Sequence, residues 1–389
     1  MNRIKTLVWG LLLFSTLNAN DTIWQGTIGK SKIYMYLPCE PAKEYDEKKN
    51  DCGYGEYFYV SQLQSIKMET ALSPSEKYAV RLQVLHSMEE DATSEEAFSL
   101  NYKNGMLVGR WESKKSKALT VKLQRYKIKK PSQYLEEDYY RIREKYMEFK
   151  RGKVEKFAPQ KKELVWIKET KSGVDMFRLG NGFSAKSRKK LNPIFDASHT
   201  ADSIAYLTCS SRWDYGSGME ALSNEVTYLS TDLLGYSNFM SYFCGGAHPD
   251  FGTSYLLYDL HNGKRYRLED IVVFSKNMPK HTEKYSRDWS NYANGIQAET
   301  LRALAFKAAG MKLKAQKQSD DMYDPYALSH WQYMDWSYEK KGIRFFLNFC
   351  TAARCFRGDS YLIPFKLLAP YKNKNFPYKF GDKKAFQSK

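Results

Sequence analysis

The chain has 389 residues, with 61 Lys and Arg against 44 Asp and Glu, for a formal charge of +17. Its 30 Tyr, 21 Phe and 8 Trp are more bulky side chain than a wholly disordered chain carries, and its length favours two domains over one. The charge alone invites a nucleic acid or an anionic surface as partner.

The N-terminus decides between these. Arg3 and Lys5 precede the apolar run Thr6 to Leu17, and Asn18-Ala19-Asn20 closes it with a small residue. This is the layout of a secretory signal peptide spanning 1–19, cut after Ala19. The run is short of the ~20 residues that cross a bilayer. We therefore expect a periplasmic or secreted protein, and no nucleic-acid partner.

Six cysteines follow: Cys39, Cys52, Cys209, Cys244, Cys350 and Cys355. An even number in an exported chain reads as three disulfides. Sequence leaves the connectivity open, and order along the chain favours Cys39–Cys52, Cys209–Cys244 and Cys350–Cys355. Zinc would want C-x-x-C spacing, which is missing.

Residues 20–127 read as an antiparallel β module, a small sheet or barrel. Ile23–Thr27 and Lys32–Leu37 flank Gly29-Lys30 as a hairpin, and Asn104-Gly105 marks a second one. Glu56–Val60, Ala79–Leu85 and Leu119–Leu123 have strand patterns. Residues 128–162 are charged and Tyr-rich without alternation, and Pro131 and Pro159 bracket them. We expect a basic linker or surface helix there. Residues 163–371 mix strands and helices. Strands are expected at Glu163–Glu169, Ser203–Cys209, Glu225–Ser230, Tyr236–Cys244, Thr253–Leu260, Gly342–Cys350 and Tyr361–Pro364. A short helix should start at Arg267–Ile271. The strongest helical pattern is Tyr292–Gln316, with Leu301, Leu304, Ala305 and Ala308 on one face. Residues 372–389 read as a frayed basic tail. The fold class is α+β: an N-terminal antiparallel β module, then a mixed domain of antiparallel sheet and packed helices.

The charge is localised. Glu112–Lys190 holds 24 Lys and Arg against 10 Asp and Glu. A solvated linker is the plain account. The sharper one is contact with anionic headgroups or an acidic glycan, with Tyr126, Tyr134, Tyr139, Tyr140 and Tyr146 stacking on sugars.

The most specific stretch is Glu225–Asp270. It contains Tyr228–Tyr242, the turn Gly245-Gly246-Ala247-His248, Tyr255–Asp259, Asn262-Gly263-Lys264 and Leu268-Glu269-Asp270. It resembles the DUF3298 domain, found in the ectodomain of a lysozyme-binding anti-sigma factor and beside the catalytic domain of certain peptidoglycan deacetylases. Phe345–Gly358 and Tyr361–Phe365 resemble that family's C-terminal strand pair. Glu163–Thr200 sits where such proteins carry a companion DUF4163 segment. The resemblance implies a binding role at the cell envelope, toward a cell-wall-related protein, such as a lysozyme-like one, or a glycan. Asp259, Glu269 and Asp270 would give a basic lysozyme an acidic face.

In the GGAH turn the two glycines permit positive φ, and Cys244 pins its start. His248 and Asp250 would project from a rigid corner as binding residues, with Gly245 and Gly246 beside them. The plainer role for His248 is to hold the corner by bonding backbone. No two of the six histidines stand at zinc-hydrolase spacing, and no G-x-S-x-G frame surrounds Ser217. No catalytic residue, metal or cofactor is therefore assigned. We expect a non-enzymatic binding protein, and the competing expectation is a peptidoglycan-directed hydrolase. Peripheral contact with an anionic membrane surface is a further expected partner.

Overall fold

The computed structural model describes residues 22–38, 53–70, 80–84, 96–209, 218–244, 249–279, 286–311, 327–332, 334–350 and 355–388. The signal-like segment 1–19, Cys39, Cys52 and Gly245–His248 lie outside these residues. The chain forms two compact units that divide after Tyr146.

In the first unit eight strands run up and down: β1 (Thr22–Ile28), β2 (Ser31–Leu37), β3 (Tyr54–Tyr59), β4 (Ile66–Thr70), β5 (Val80–Val84), β6 (Glu96–Lys103), β7 (Met106–Ser113) and β8 (Ser116–Arg125). β8 returns to pair with β1, so the sheet closes into a barrel without edges. Both expected hairpins form. Ile28 pairs with Ser31 around Gly29-Lys30. Lys103 pairs with Met106 around Asn104 and Gly105, both at positive φ as a two-residue hairpin turn requires. Alternate residues point inward: Trp24, Ile33, Met35, Tyr57, Leu82, Phe98, Leu100, Val121 and Leu123 fill the interior. Closure brings β1 and β8 so near at Gly26 that a Cβ there would collide with the Lys122 carbonyl.

The segment expected as one linker or helix, 128–162, divides. Its first half is the short helix α1 (Leu135–Arg141) and a 3-10 turn (Ile142–Lys145), which cover the outer wall of β2 and β3. Tyr139 packs against Tyr36 and Phe58. The fully buried Arg143 guanidinium lies 4.0 Å from the Phe58 ring centroid and donates to Leu63 O at 2.8 Å and Ser65 Oγ at 2.7 Å. The second half is β9 (Phe149–Phe157), an edge strand of the second unit. It is exposed along nearly its whole length, so it shows no alternation.

The second unit has three antiparallel sheets. β9 pairs with β10 (Lys162–Glu169), which pairs with β11 (Asp175–Leu179). The central sheet has the order β15-β14-β13-β12-β19, from β12 (Gly218–Leu229), β13 (Leu233–Phe243), β14 (Asp250–Asp259), β15 (Arg265–Tyr266) and β19 (Phe386–Gln387). The third sheet is β16 (Asp335–Tyr338), β17 (Gly342–Cys350) and β18 (Cys355–Pro364).

Period-two alternation gives the central sheet two apolar faces. Val226, Leu234, Tyr236 and Tyr258 pack against Leu191 and Phe195 of helix α2 (Ala185–Thr208) and against Trp166 and Phe177. Tyr228, Leu233 and Leu257 lie in a second core with Phe345, Ile363, Leu301, Ala305 and Phe306. The fold is therefore α+β, as expected.

Several elements differ from expectation. Ser203–Cys209 is no strand; it carries α2 to Thr208, and Ser187, Leu191, Phe195, His199, Ser203 and Leu207 are buried at every fourth position. The expected 292–316 helix begins earlier. It runs from α4 (Arg287–Tyr292) through a π turn (Ala293–Gln297) into α5 (Ala298–Ala309), and Gly310 ends it at φ 69°. The short helix α3 (Leu268–Ile271) forms as expected, and the backbone N–H of its N-cap residue Arg267 donates to Asp270 Oδ2 at 2.9 Å. The tail is not frayed. Phe376 is 1% exposed in the core, and β19 pairs with β12. Phe365–Leu368 forms the last α-helix, α6.

Candidate functional site

The β13–β14 hairpin runs in continuous register from Leu233↔Asp259 to Tyr242↔Asp250. At its far end the Tyr242 hydroxyl donates to Asp250 Oδ2 at 3.4 Å, and Asp250 Oδ1 accepts from the Phe251 N–H at 2.8 Å. Of the four binding residues read from sequence, only Asp250 lies among the described residues.

A disulfide clamps this end. Cys209, the C-cap of α2, is bonded to Cys244, which follows β13, with Cα atoms 4.6 Å apart. That pairing is the one expected. Cys350 and Cys355 are register partners across β17 and β18, as a hairpin disulfide would need, but their side chains lie outside the description.

Two turns back along α2 stands Asp202. Its carboxylate accepts from Asn238 Nδ2 at 3.1 Å, and the same amide lies 3.0 Å from Asn224 Oδ1. Asn224 in turn donates to the Asp175 carbonyl at 2.9 Å. Asn224 and Asn238 are register partners on β12 and β13, so their side chains share the face that α2 covers. Burial raises the Asp202 pKa to about 7, against the opposing effect of the two asparagine hydrogen bonds. Such a carboxyl both donates and accepts protons near neutrality. Sequence reading missed it because Asp202 lies in a stretch read as the approach to a strand, and its asparagine partners are distant in the chain.

The other polar groups are structural. His199 is fully buried; its Nε2–H donates to the Val174 carbonyl at 2.9 Å, and its Nδ1 accepts from Arg178 at 3.3 Å. Burial lowers its pKa, which keeps it neutral. Asp259 is no part of an acidic face. It is fully buried and accepts from the His261 and Asn262 N–H groups, Asn262 Nδ2, Tyr266 OH and Tyr378 OH at 2.7–3.0 Å. Burial alone would raise its pKa, but these donors outweigh it and lower the value. Glu269 is buried as well, and Asp270 pairs with Lys264. Lys162 is a further buried charge. Its Nζ donates to the Ser230 and Thr231 carbonyls at 2.8 and 2.9 Å, and burial lowers its pKa to about 8.

Among the described residues no group of three or more His, Cys, Asp or Glu is arranged to hold a metal ion, and no helix is long and apolar enough to cross a membrane. The Tyr residues of the basic segment have separate fates: Tyr139 is buried, Tyr140 donates to Glu136, and Tyr134 is exposed.

No family model matches the chain, and no curated protein matches it. Among solved structures, the chain is similar to a DUF3298 family protein from Pseudomonas aeruginosa PAO1. The identity is 15% over 59% of this chain and 96% of that one, with a TM-score of 0.29. It is also similar to a DUF3298 family member from Bacteroides fragilis, at 16% identity over 59% of this chain and 94% of that one, with a TM-score of 0.33. The chain is thus similar to proteins of the DUF3298 family, as its Glu225–Asp270 stretch leads one to expect.

Proposed function

We propose that this chain is an exported, non-enzymatic binding protein of the cell envelope whose ligand is a cell-wall-related protein or glycan. The observation that carries the proposal is the clamped end of the β13–β14 hairpin. The Cys209–Cys244 disulfide fastens helix to strand at the point where the GGAH segment begins. Structural disulfides belong to oxidising compartments, which supports export. A clamped hairpin end bearing the Tyr242 phenol and the Asp250 carboxyl suits recognition by hydrogen bonding, because groups held in place before the ligand arrives lose less freedom on binding.

One observation favours a second reading. A carboxyl with pKa about 7, Asp202, two turns back along α2 from the clamp, has the titration range of a general acid or base in a peptidoglycan-directed hydrolase. Fractionation of producing cells, followed by incubation of the purified protein with peptidoglycan, separates the two. Recovery outside the cytoplasm with no release of soluble muropeptides is expected. Catalytic release abolished by Asp202→Asn would establish the hydrolase instead, and purely cytoplasmic recovery would contradict export.

A further inference from the structure

The barrel has no task in the account above, yet one side of its outer wall gathers cations and phenols from three distant parts of the chain. Lys32 and Tyr34 are two apart on β2, so both side chains leave the barrel outward. Tyr126, just past β8, meets the Tyr34 ring edge-on at 5.3 Å, and Tyr146, just past the Ile142–Lys145 turn, lies 6.1 Å from it. The Tyr34 and Tyr146 hydroxyls are 2.9 Å apart. Lys32 Nζ donates to Tyr146 OH at 3.3 Å and stands 5.5 Å from that ring's centroid. Lys145 Nζ donates to Tyr126 OH and stands 5.1 Å from its ring.

Each ammonium has three N–H donors, and each spends one on a phenol. Both lysines are exposed, and neither meets a carboxylate among the described residues. The neighbouring acids are engaged elsewhere: Glu144 with Arg141, Glu136 with Tyr140, and Glu56 with Lys67 and Arg143. Two cations with spare donors beside phenol hydroxyls suit an oxyanion. Lysine recognises phosphate as a point charge, whereas planar, bidentate carboxylate recognition favours arginine. The Tyr146 phenol already registers the local field. Burial alone would raise its pKa, but hydrogen bonds from Tyr34 and Lys32 and the charges of Lys32 and Lys145 lower it.

We propose that Lys32, Lys145 and Tyr146 form a phosphate-binding site on the outer wall of the barrel, taking the phosphate of a phosphorylated sugar or of a lipid headgroup. This site is independent of the hairpin end. The test uses the full chain, with inorganic phosphate as first probe, by calorimetry and by phenolate absorbance against pH. Saturable binding is expected, weakened about tenfold by Lys32→Gln and by Lys145→Gln. Phosphate should also raise the pH at which Tyr146 ionises, relative to chloride at equal ionic strength, and this shift should vanish in Tyr146→Phe. A hexose phosphate and phosphatidylcholine vesicles with or without phosphatidylglycerol then distinguish the source. Competition by the hexose phosphate without vesicle retention assigns a sugar. Retention that requires both phosphatidylglycerol and the two lysines assigns a headgroup. Absence of saturable phosphate binding, binding unchanged in both folded lysine variants, or an unmoved Tyr146 titration would overturn the site.

Discussion

Asp202 is partly buried beside the Asn224 and Asn238 side chains, and its burial gives it a definite pH signature. Its pKa is about 7 in the fold, against an ordinary value of 3.8. The fold therefore binds the proton more tightly than the unfolded chain does. The stability from this group is full below about 3.8, falls as pH rises, and is lost once pH passes about 7. Asp202→Asn mimics the neutral carboxyl. Its stabilising effect should be greater at pH 8 than at pH 5 by about 2–3 kcal/mol. Urea unfolding at the two pH values checks this, and an equal effect at both would contradict it. His199, by contrast, is satisfied on both ring nitrogens and neutral, a core group with no signature of this kind in the neutral range.

At the scale of elements, the C-terminal segment matters more than its composition suggests. Phe376 enters the core beside Tyr266, and Tyr378 supplies one of the five donors on Asp259. Truncation after Tyr371 should therefore lower stability by about 3–5 kcal/mol or more, through one lost core aromatic and one lost bond to a buried carboxylate. Tyr378→Phe alone should cost about 1–2 kcal/mol. Chemical denaturation of the two variants checks both values, and a truncated chain as stable as the parent would show the tail to be dispensable.

The same elements show what sequence could and could not reveal. The hairpins at Gly29-Lys30 and Asn104-Gly105 were legible because two-residue loops require particular residues and fix register. β17 was legible to the residue, because Gly342–Cys350 is an apolar run of strand length. The tail was not, because it buries isolated aromatics among lysines rather than a periodic face. β9 was hidden because an exposed edge strand need not alternate. The end of α2 was misread because Ile204–Leu207 is short and apolar, and Pro193 inside the helix breaks the helical pattern upstream. At the hairpin end, the Cys209–Cys244 disulfide was legible from chain order. The Asp202–Asn238–Asn224 link was not, because it joins a helix to two strands across 22 and 36 residues of separation.

At the scale of the whole molecule, the +17 charge resolves into separate structures. Part of the basic segment covers the barrel wall, where Arg143 is a buried anchor and Lys145 borders the phenol cluster. Part forms the cationic edge strand β9 of the second unit. The charge is thus a property of particular surfaces, and the clamped hairpin lies in the unit where the family resemblance sits. The measurement closest to the central proposal is a calorimetric titration of the disulfide-intact chain with soluble peptidoglycan fragments and with a lysozyme-type protein. It should be run beside a variant carrying His248→Ala and Asp250→Ala. Saturable binding of one of these ligands is predicted, weakened at least about tenfold in the variant. Binding of neither, or binding undiminished in a folded variant, would contradict the assignment.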